Sequence, residues 1–599
     1  MLKKMNDDRL RRSKVDDKYI FFIQRWRELC YIYTIDSYKF KVKNVCNIYD
    51  ELLSIVKIII DGTLNISLHN FSDVKDEAIS IFKSDKILEK YDLAIKHSIL
   101  RILNKKVTSK SKEDGGSDKF YCGMRLLYSE LCSYKDNLNE CYFESVLEEL
   151  KLAIDEGNLE NQNIFINILV SLCVHNGWTE LALSKICKEI FYKHIDANEK
   201  WTNFVNKLKA SCDGYTVFYK IKTNGNIVNL KDALGLLGIN CCKGNEIYDQ
   251  FSNSLKLKSL LNADNYYGII NVNAHDFNAA ALKGVQSLNK KLSVASYYNY
   301  ASKTIISDAE IIVFNGNSGV TIDSKQLINP SEYLDASTNN VFNQTVEIFN
   351  SSQYSLLANK LMPVFSYVSL SRASMFQETK YINLWIALES IMNTGNYTDI
   401  ITHIKGVLPA VLNAKYIYRL FRNFAEDCIR CEVNLDSLAI NLQEIDKHKL
   451  VADIIAVMRD EIKSEVLQCA CAQNQLLTFR FLELKELIAD KNNIVKRLRE
   501  HEKRLEWHIQ RLYRIRNEIA HSAIGESVSL VIYIEHLYSY LTQLITEIVY
   551  IAKHKNTSDI GVILATLVEG YKTYMEILSI DGDMSVQDIL PFGIINIYR

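Results

Sequence analysis

Proline is nearly missing from this chain, with 4 in 599 residues. A proline inside a helix removes a hydrogen bond and collides with the preceding turn. Long helices therefore meet few obligatory breaks here, and a mainly α, multidomain fold is expected. Charge imbalance is missing too: 71 lysines and arginines face 72 aspartates and glutamates. That excludes a protein that coats polyanions over its whole surface, and any contact with nucleic acid has to come from a local basic surface. No stretch approaches the roughly 18 uninterrupted apolar residues of a membrane span. The aliphatic run Ile55-Val56-Lys57-Ile58-Ile59-Ile60 is broken by a lysine, so no membrane partner is expected. The charged segment Met1 to Asp8 has no apolar stretch behind it and does not read as a secretory signal. The expected location is cytoplasmic, where the 14 cysteines stay mostly reduced. Neither a G-x-x-x-x-G-K-[ST] phosphate loop nor an H-E-x-x-H zinc pair occurs, which argues against an ATP-driven motor and a zinc protease. No repeat of 20–50 residues supports a solenoid or propeller.

What the chain does have is the composition of a globular protein, 48% apolar and 24% charged, long enough for about three or four domains. Residues 1–210 read as a helical region with a possible sensor or regulatory role. Leu52, Val56, Ile59 and Ile60 recur on one helix face. The polar run 105–119 reads as an exposed loop. Gly177 suits a turn, with Thr179 as the cap of the next helix. Residues 211–339 change texture and predict a small α/β or α+β domain. Tyr215–Ile221 is a strand candidate running to Asn224-Gly225, a strong hairpin signal. Tyr267–Val272 is a second strand, followed by a helix from about Asp276. Ile311–Phe314, Asn315-Gly316 and Val320–Ile322 complete the unit, with Ile328–Ser331 as its exit. Residues 340–555 return to helical periodicity, and 556–599 read as a C-terminal helical extension. In the third region Leu498, Leu505, Leu512 and Ile519 repeat every seventh position, the stripe of one helix. Lys496, Arg497, Arg499, Lys503, Arg504, Arg511 and Arg514 surround that stripe.

This basic helix runs into Arg514-Ile515-Arg516-Asn517-Glu518-Ile519-Ala520-His521-Ser522. An always-charged guanidinium near a side chain that titrates around neutral pH suits phosphate binding and proton transfer. That combination fits cleavage of a phosphodiester. In a regular helix positions five apart point about 140° away from each other. Arg516 and His521 therefore need a helix end, a distortion or a partner protomer to converge on one phosphate.

The Arg516-x4-His521 element, with Asn517 beside the arginine, resembles the defining motif of HEPN domains. The upstream run Asn383-Leu384-Trp385-Ile386-Ala387-Leu388-Glu389 and its surrounding helices resemble the Apea-like branch, over roughly 355–555. The resemblance implies a helical bundle that forms a homodimer or higher homo-oligomer and brings two arginine–histidine pairs into one cleft. It also implies metal-independent RNA cleavage without a cofactor, with RNA (tRNA among the candidates) as partner. Anti-phage defence or abortive infection, released by a phage-derived trigger, is the implied setting. Arg516, Asn517 and His521 are the expected catalytic residues, and Arg504, Arg511 and Arg514 the expected RNA contacts. Trp385 and Glu389 are expected to pack and brace. The tyrosine found two positions after the histidine in toxins silenced by nucleotide transfer is here Ala523, which argues against that regulation. The alternative reading is a catalytically inactive HEPN scaffold that binds RNA or protein. Two weaker constellations remain. Cys428, Cys431, Cys469 and Cys471 contain a C-x-C pair whose side chains a helix turns apart, so ordinary thiols rather than a zinc site are expected. Asp308, Asp323 and Lys325, with Glu310 nearby, form a loose D…DxK pattern faintly like a metal-dependent nuclease.

Overall fold

The fold was read from a computed structural model. It describes residues 7–30, 43–62, 68–105, 116–193, 195–223, 227–250, 255–298, 304–323, 337–374, 376–395, 399–444, 446–521, 530–580, 582 and 584–590. Helices dominate, and one small sheet interrupts them. Among the described residues no helix is long and apolar enough to cross a membrane.

The N-terminal helices share one core. Within it α1 (Ile20–Leu29), α2 (Val45–Asp61), α3 (Leu68–Ser84) and α4 (Glu180–Phe191) bury Phe22, Trp26, Leu52, Val56, Phe82 and Phe191. Asn44 caps α2 and Thr179 caps α4, each accepting from a main-chain N–H three residues on. Gly177 takes a left-handed φ of 97° at the turn before α4, a conformation that costs other residues more. In the run 105–119, residues 106–115 lie outside the described residues. A helix begins at Gly116, so the stretch 116–119 is helical rather than loop.

The middle unit is an antiparallel sheet of five strands in the order β2-β3-β1-β4-β5. Its elements are β1 (Asp213–Thr223), α5 (Ile227–Leu236), β2 (Asn240–Lys243), β3 (Tyr266–Ala274), α6 (Phe277–Tyr297), β4 (Thr304–Phe314) and β5 (Gly319–Ile322). Alternation along the strands sends Val217, Tyr219, Ile270 and Val313 to a face covered by α5 and α6. It sends Phe218, Ile269, Ile312 and Phe314 to the other face, so both sides are buried. The hairpin expected at Asn224-Gly225 does not form. Those two residues lie outside the described ones, but the chain continues into α5, and β1 pairs with β3 and β4. The second hairpin is made: β4 pairs with β5 across a turn where Gly316 has φ 88°. Asp276 caps α6 and also accepts from Thr179, which ties the sheet unit to the N-terminal helices. Residues 328–331 lie outside the described residues.

The remaining helices build two cores. One takes side chains from Ile348 to Leu412 and from Leu505 to Leu564. The other takes them from Ala410 to Leu498 and from Tyr571 to Leu590. The elements used below are α7 (Gln377–Met392), α8 (Ile400–Ala414), α9 (Gln475–Leu487), α10 (Lys491–His521), α11 (Leu530–Lys555) and α12 (Ile560–Ser579). α12 contributes Leu564 to the first core and Tyr574 to the second.

Candidate active site

The apolar stripe positions α10. Leu498, Leu505 and Leu512 are buried and Ile519 is half-buried, the face that the seven-residue spacing predicts. Leu498 enters one C-terminal core while Leu505, Ile509 and Leu512 enter the other, so a single helix joins both. The Tyr381 hydroxyl of α7 donates to the Leu512 carbonyl at 2.6 Å. Trp385 packs on Tyr513 with ring centroids 5.8 Å apart and donates its Nε1 proton to Glu389 at 2.6 Å. Trp385 is fully buried. Burial of so large a side chain contributes upward of about 2 kcal/mol, so this pair holds the bundle around α10.

The arginines of α10 divide by helix face. Arg511 and Arg514 are buried. Arg511 Nε lies 2.8 Å from Glu51 of α2, and its Nη2 pairs with Glu77 of α3; Arg514 also pairs with Glu51. Burial alone would raise the Glu51 carboxyl, but Arg511, Lys43 and Arg514 outweigh it and bring it down to about 2. Burial works against the Arg511 guanidinium, and Glu51 and Glu77 reverse that and raise it. The expectation that Arg511 and Arg514 contact RNA is therefore corrected: both hold α10 against the N-terminal helices. Arginine suits the position because its planar fork of five N–H groups serves two carboxylates at once. Arg504 is exposed, as are Lys496, Arg499 and Lys503 further up the helix.

Arg516 lies about 140° around the helix from Arg511 and is half-buried. Its Nη1 donates to Asn517 Oδ1 at 3.2 Å. Among the described residues it has no carboxylate partner. His521 is the last residue of α10; its side chain lies outside the described ones. Asn517 and His521 are four positions apart, hence neighbours on one helix face. Asn517 thus stands between Arg516 and His521 around the helix. One turn after Arg514, burial and Glu51 raise the Glu518 carboxyl while Arg514 opposes them.

A buried polar cluster between α10 and α11 escaped the reading of the sequence. His508 Nε2 and His536 Nδ1 are 3.1 Å apart, and the Tyr540 hydroxyl lies 3.1 Å from His508 Nδ1. Burial first, then the charges of His536, Arg511 and Lys43, holds His508 well below the usual histidine range. Its neutral form is the one at pH 7. The signal was present in the sequence: His536 and Tyr540 are four apart on α11, and His508 lies one turn before Leu512 of the apolar stripe. The acidic partners Glu51 and Glu77 gave no comparable signal, because no local pattern joins Glu51 to a residue 460 positions away.

The other constellations are not assembled into sites. All four cysteines of the C-x-x-C and C-x-C pairs are free thiols, with Cys469 exposed and the others buried. A hydrogen bond with Cys471 and burial push the Cys428 thiol up, and burial raises Cys431 to about 12. Among the described residues no three His, Cys, Asp or Glu side chains converge as metal ligands. Glu310 and Asp323 are exposed at the β4–β5 end of the sheet, while the Asp308 side chain and Lys325 lie outside what is described. No family model, curated protein or solved structure matches the chain.

Proposed function

We propose that the protein is a metal-independent endoribonuclease of the HEPN type that works as a homodimer at the C-terminal end of α10. The observation that carries this reading is the state of Arg516. Its neighbours Arg511 and Arg514 are neutralised by buried carboxylates, whereas Arg516 is held by the neutral amide of Asn517. A guanidinium positioned this way keeps its charge available for a phosphate. His521 supplies the group that titrates, one helical turn from Asn517.

The chemistry needs little more. An RNA 2′-hydroxyl sits beside its own phosphate, so attack requires alignment rather than a new nucleophile. His521 takes or gives the proton, a contribution of about 10²–10⁴-fold. Arg516 steadies the charge that grows on the phosphate oxygens, and Asn517 orients Arg516. A twofold axis duplicates the set, so one arginine–histidine pair per chain supplies two per cleft. The grip of α2 and α3 on Arg511 and Arg514, within two turns of Arg516, supports a restraining or positioning role for the N-terminal helices. Exposed Arg504 is the remaining RNA contact on this helix.

The test is cleavage of mixed cellular RNA and purified tRNA by the wild type, His521→Ala and Arg516→Ala, with and without EDTA. The expected result is EDTA-resistant cutting that leaves 2′,3′-cyclic phosphates and falls about 10²-fold or more in both variants. Cutting that survives in both variants and stops with EDTA would overturn the proposal. RNA binding without cutting would favour the scaffold.

A further inference from the structure

The sheet unit carries a cavity of about 590 Å³ where α6 crosses the free edge of β3. Three residues of its wall, Lys283, Ser287 and Lys291, lie at four-residue spacing and therefore on one face of α6. They span roughly 12 Å of helix axis. Most of the remaining wall is the sheet edge, Asn240 of β2 and β3 from Ile269 to Asn273. The side chains of Asn271 and Asn273 alternate with Ile270 and point to the face away from α6, so this stretch meets the lysines through its main chain. β2 stops opposite Ile269, so β3 has no strand beside it from Ile270 to Ala274 on that side. Alternate main-chain N–H and C=O groups there are open to the cavity.

The two lysines are held but not neutralised. Lys283 Nζ donates to the Asn273 carbonyl at 2.9 Å. Lys291 Nζ donates to the Gly238 carbonyl at 3.5 Å, presented by a left-handed turn with φ 72°. Neither makes an ion pair among the described residues, and each ammonium has three N–H groups. The cavity wall contains no carboxylate. A lysine beside an open strand edge discourages unwanted strand pairing, which accounts for Lys283 alone. It does not account for a second lysine two turns away.

From this arrangement we infer that the cavity binds a phosphate-bearing ligand of nucleotide size. The volume lies within the roughly 300–1,000 Å³ of small-molecule sites. Lysine acts as a compact point charge that suits phosphate, without the planar fork that arginine offers a carboxylate. Lys283 and Lys291 stand roughly 12 Å apart along α6, farther than the span of one phosphate. The open main-chain N–H and C=O groups of the β3 edge match the mixed donors and acceptors of a base or sugar edge. This inference stands apart from RNA cleavage at α10 and does not depend on it.

Calorimetric titration of the full chain with ATP, UTP and inorganic pyrophosphate tests it. Variants are Lys283→Gln, Lys291→Gln, Ser287→Glu (which sets a carboxylate between the lysines) and Lys290→Gln on the exposed side of α6 as control. A nucleotide is expected to bind, weakened about tenfold by each of the Lys283 and Lys291 changes. Binding should be abolished by Ser287→Glu and unchanged in the control. Unaltered thermal midpoints would show that the variants are folded. Absence of binding by every probe, or binding indifferent to Lys283, Lys291 and Ser287, would overturn the site. Pyrophosphate binding as tightly as both nucleotides would overturn the nucleotide assignment.

Discussion

Replacing Arg511 with methionine is expected to destabilise the contact between α10 and the N-terminal helices by about 3 kcal/mol. Methionine keeps most of the apolar stem, so the loss reports the guanidinium rather than packing. The Arg511 side chain is 5% exposed, against 15% for Glu51 and 9% for Glu77. These are buried charges, for which removal of one partner costs about 3–5 kcal/mol instead of the 0–1 kcal/mol of a surface pair. The lower end applies because Glu51 keeps Arg514 and Lys43. Glu77 carries the penalty, since Arg511 is its ion-pair partner. Glu77→Gln in the same chain removes the stranded charge, and the double variant should recover part of the loss through a coupling of about 1–3 kcal/mol. A chain with several cores need not unfold in one step. Urea unfolding should therefore be read with hydrogen exchange of α2 and α3, which isolates this contact. A loss below about 1 kcal/mol for Arg511→Met, with no coupling to Glu77, would refute the reasoning, because the pair would then behave as a solvated one.

Lower pH should weaken the structure through two groups. His508 binds its proton less readily folded than unfolded, so its contribution is complete above about pH 6.5 and is lost as pH falls, by up to about 1.4 kcal/mol per pH unit. Urea midpoints at neutral and mildly acidic pH should fall less steeply in His508→Gln than in the wild type; equal slopes would count against a neutral buried histidine. Glu51, held at about 2, adds a second loss below the usual glutamate range, one that Glu51→Gln should remove. Gly284→Ala should cost about 1–3 kcal/mol by overpacking, because a Cβ there would lie 2.3 Å from the Tyr219 hydroxyl. Thermal unfolding should show partial relief when Tyr219→Phe is added, and no loss in the single variant would mean that α6 sits farther from β1.

The features legible in the sequence were those written in local periodicity. The stripe of Leu498, Leu505 and Leu512 gave the buried face of α10. Residues 311–322 gave the β4–β5 hairpin, and Thr179 gave a helix cap. The Asn224-Gly225 signal misled because turn propensity is local, whereas β1 finds both of its partners after long connections through α5 and α6. β2 was missed because four residues, Asn240–Lys243, hold too little alternation to register as a strand. Arg511 and Arg514 were assigned to RNA for the same reason. A basic run looks alike whether its counter-charges come from a ligand or from Glu51 and Glu77, hundreds of residues earlier. Sequence distance hides that distinction, and only the helix face reveals it.

That face argument also separates two duties of one helix. Turning about 100° per residue, α10 points Leu512 and Ile519 into the core and Arg511 and Arg514 toward α2 and α3. Arg516 faces away from that clamp. A substitution in the clamp acts on stability first, since it strands buried carboxylates, and its effect should appear in urea midpoints. A substitution at Arg516 strands nothing, because its partner is the neutral Asn517 amide. Its stability cost should stay near the 0.5–1.5 kcal/mol of an ordinary hydrogen bond. Loss of cleavage in Arg516→Ala with a stability loss no larger than about 1.5 kcal/mol therefore belongs to the chemistry at the helix end. Loss of cleavage together with about 3 kcal/mol of stability would assign Arg516 to the same structural class as Arg511 and leave no guanidinium in the run for a phosphate.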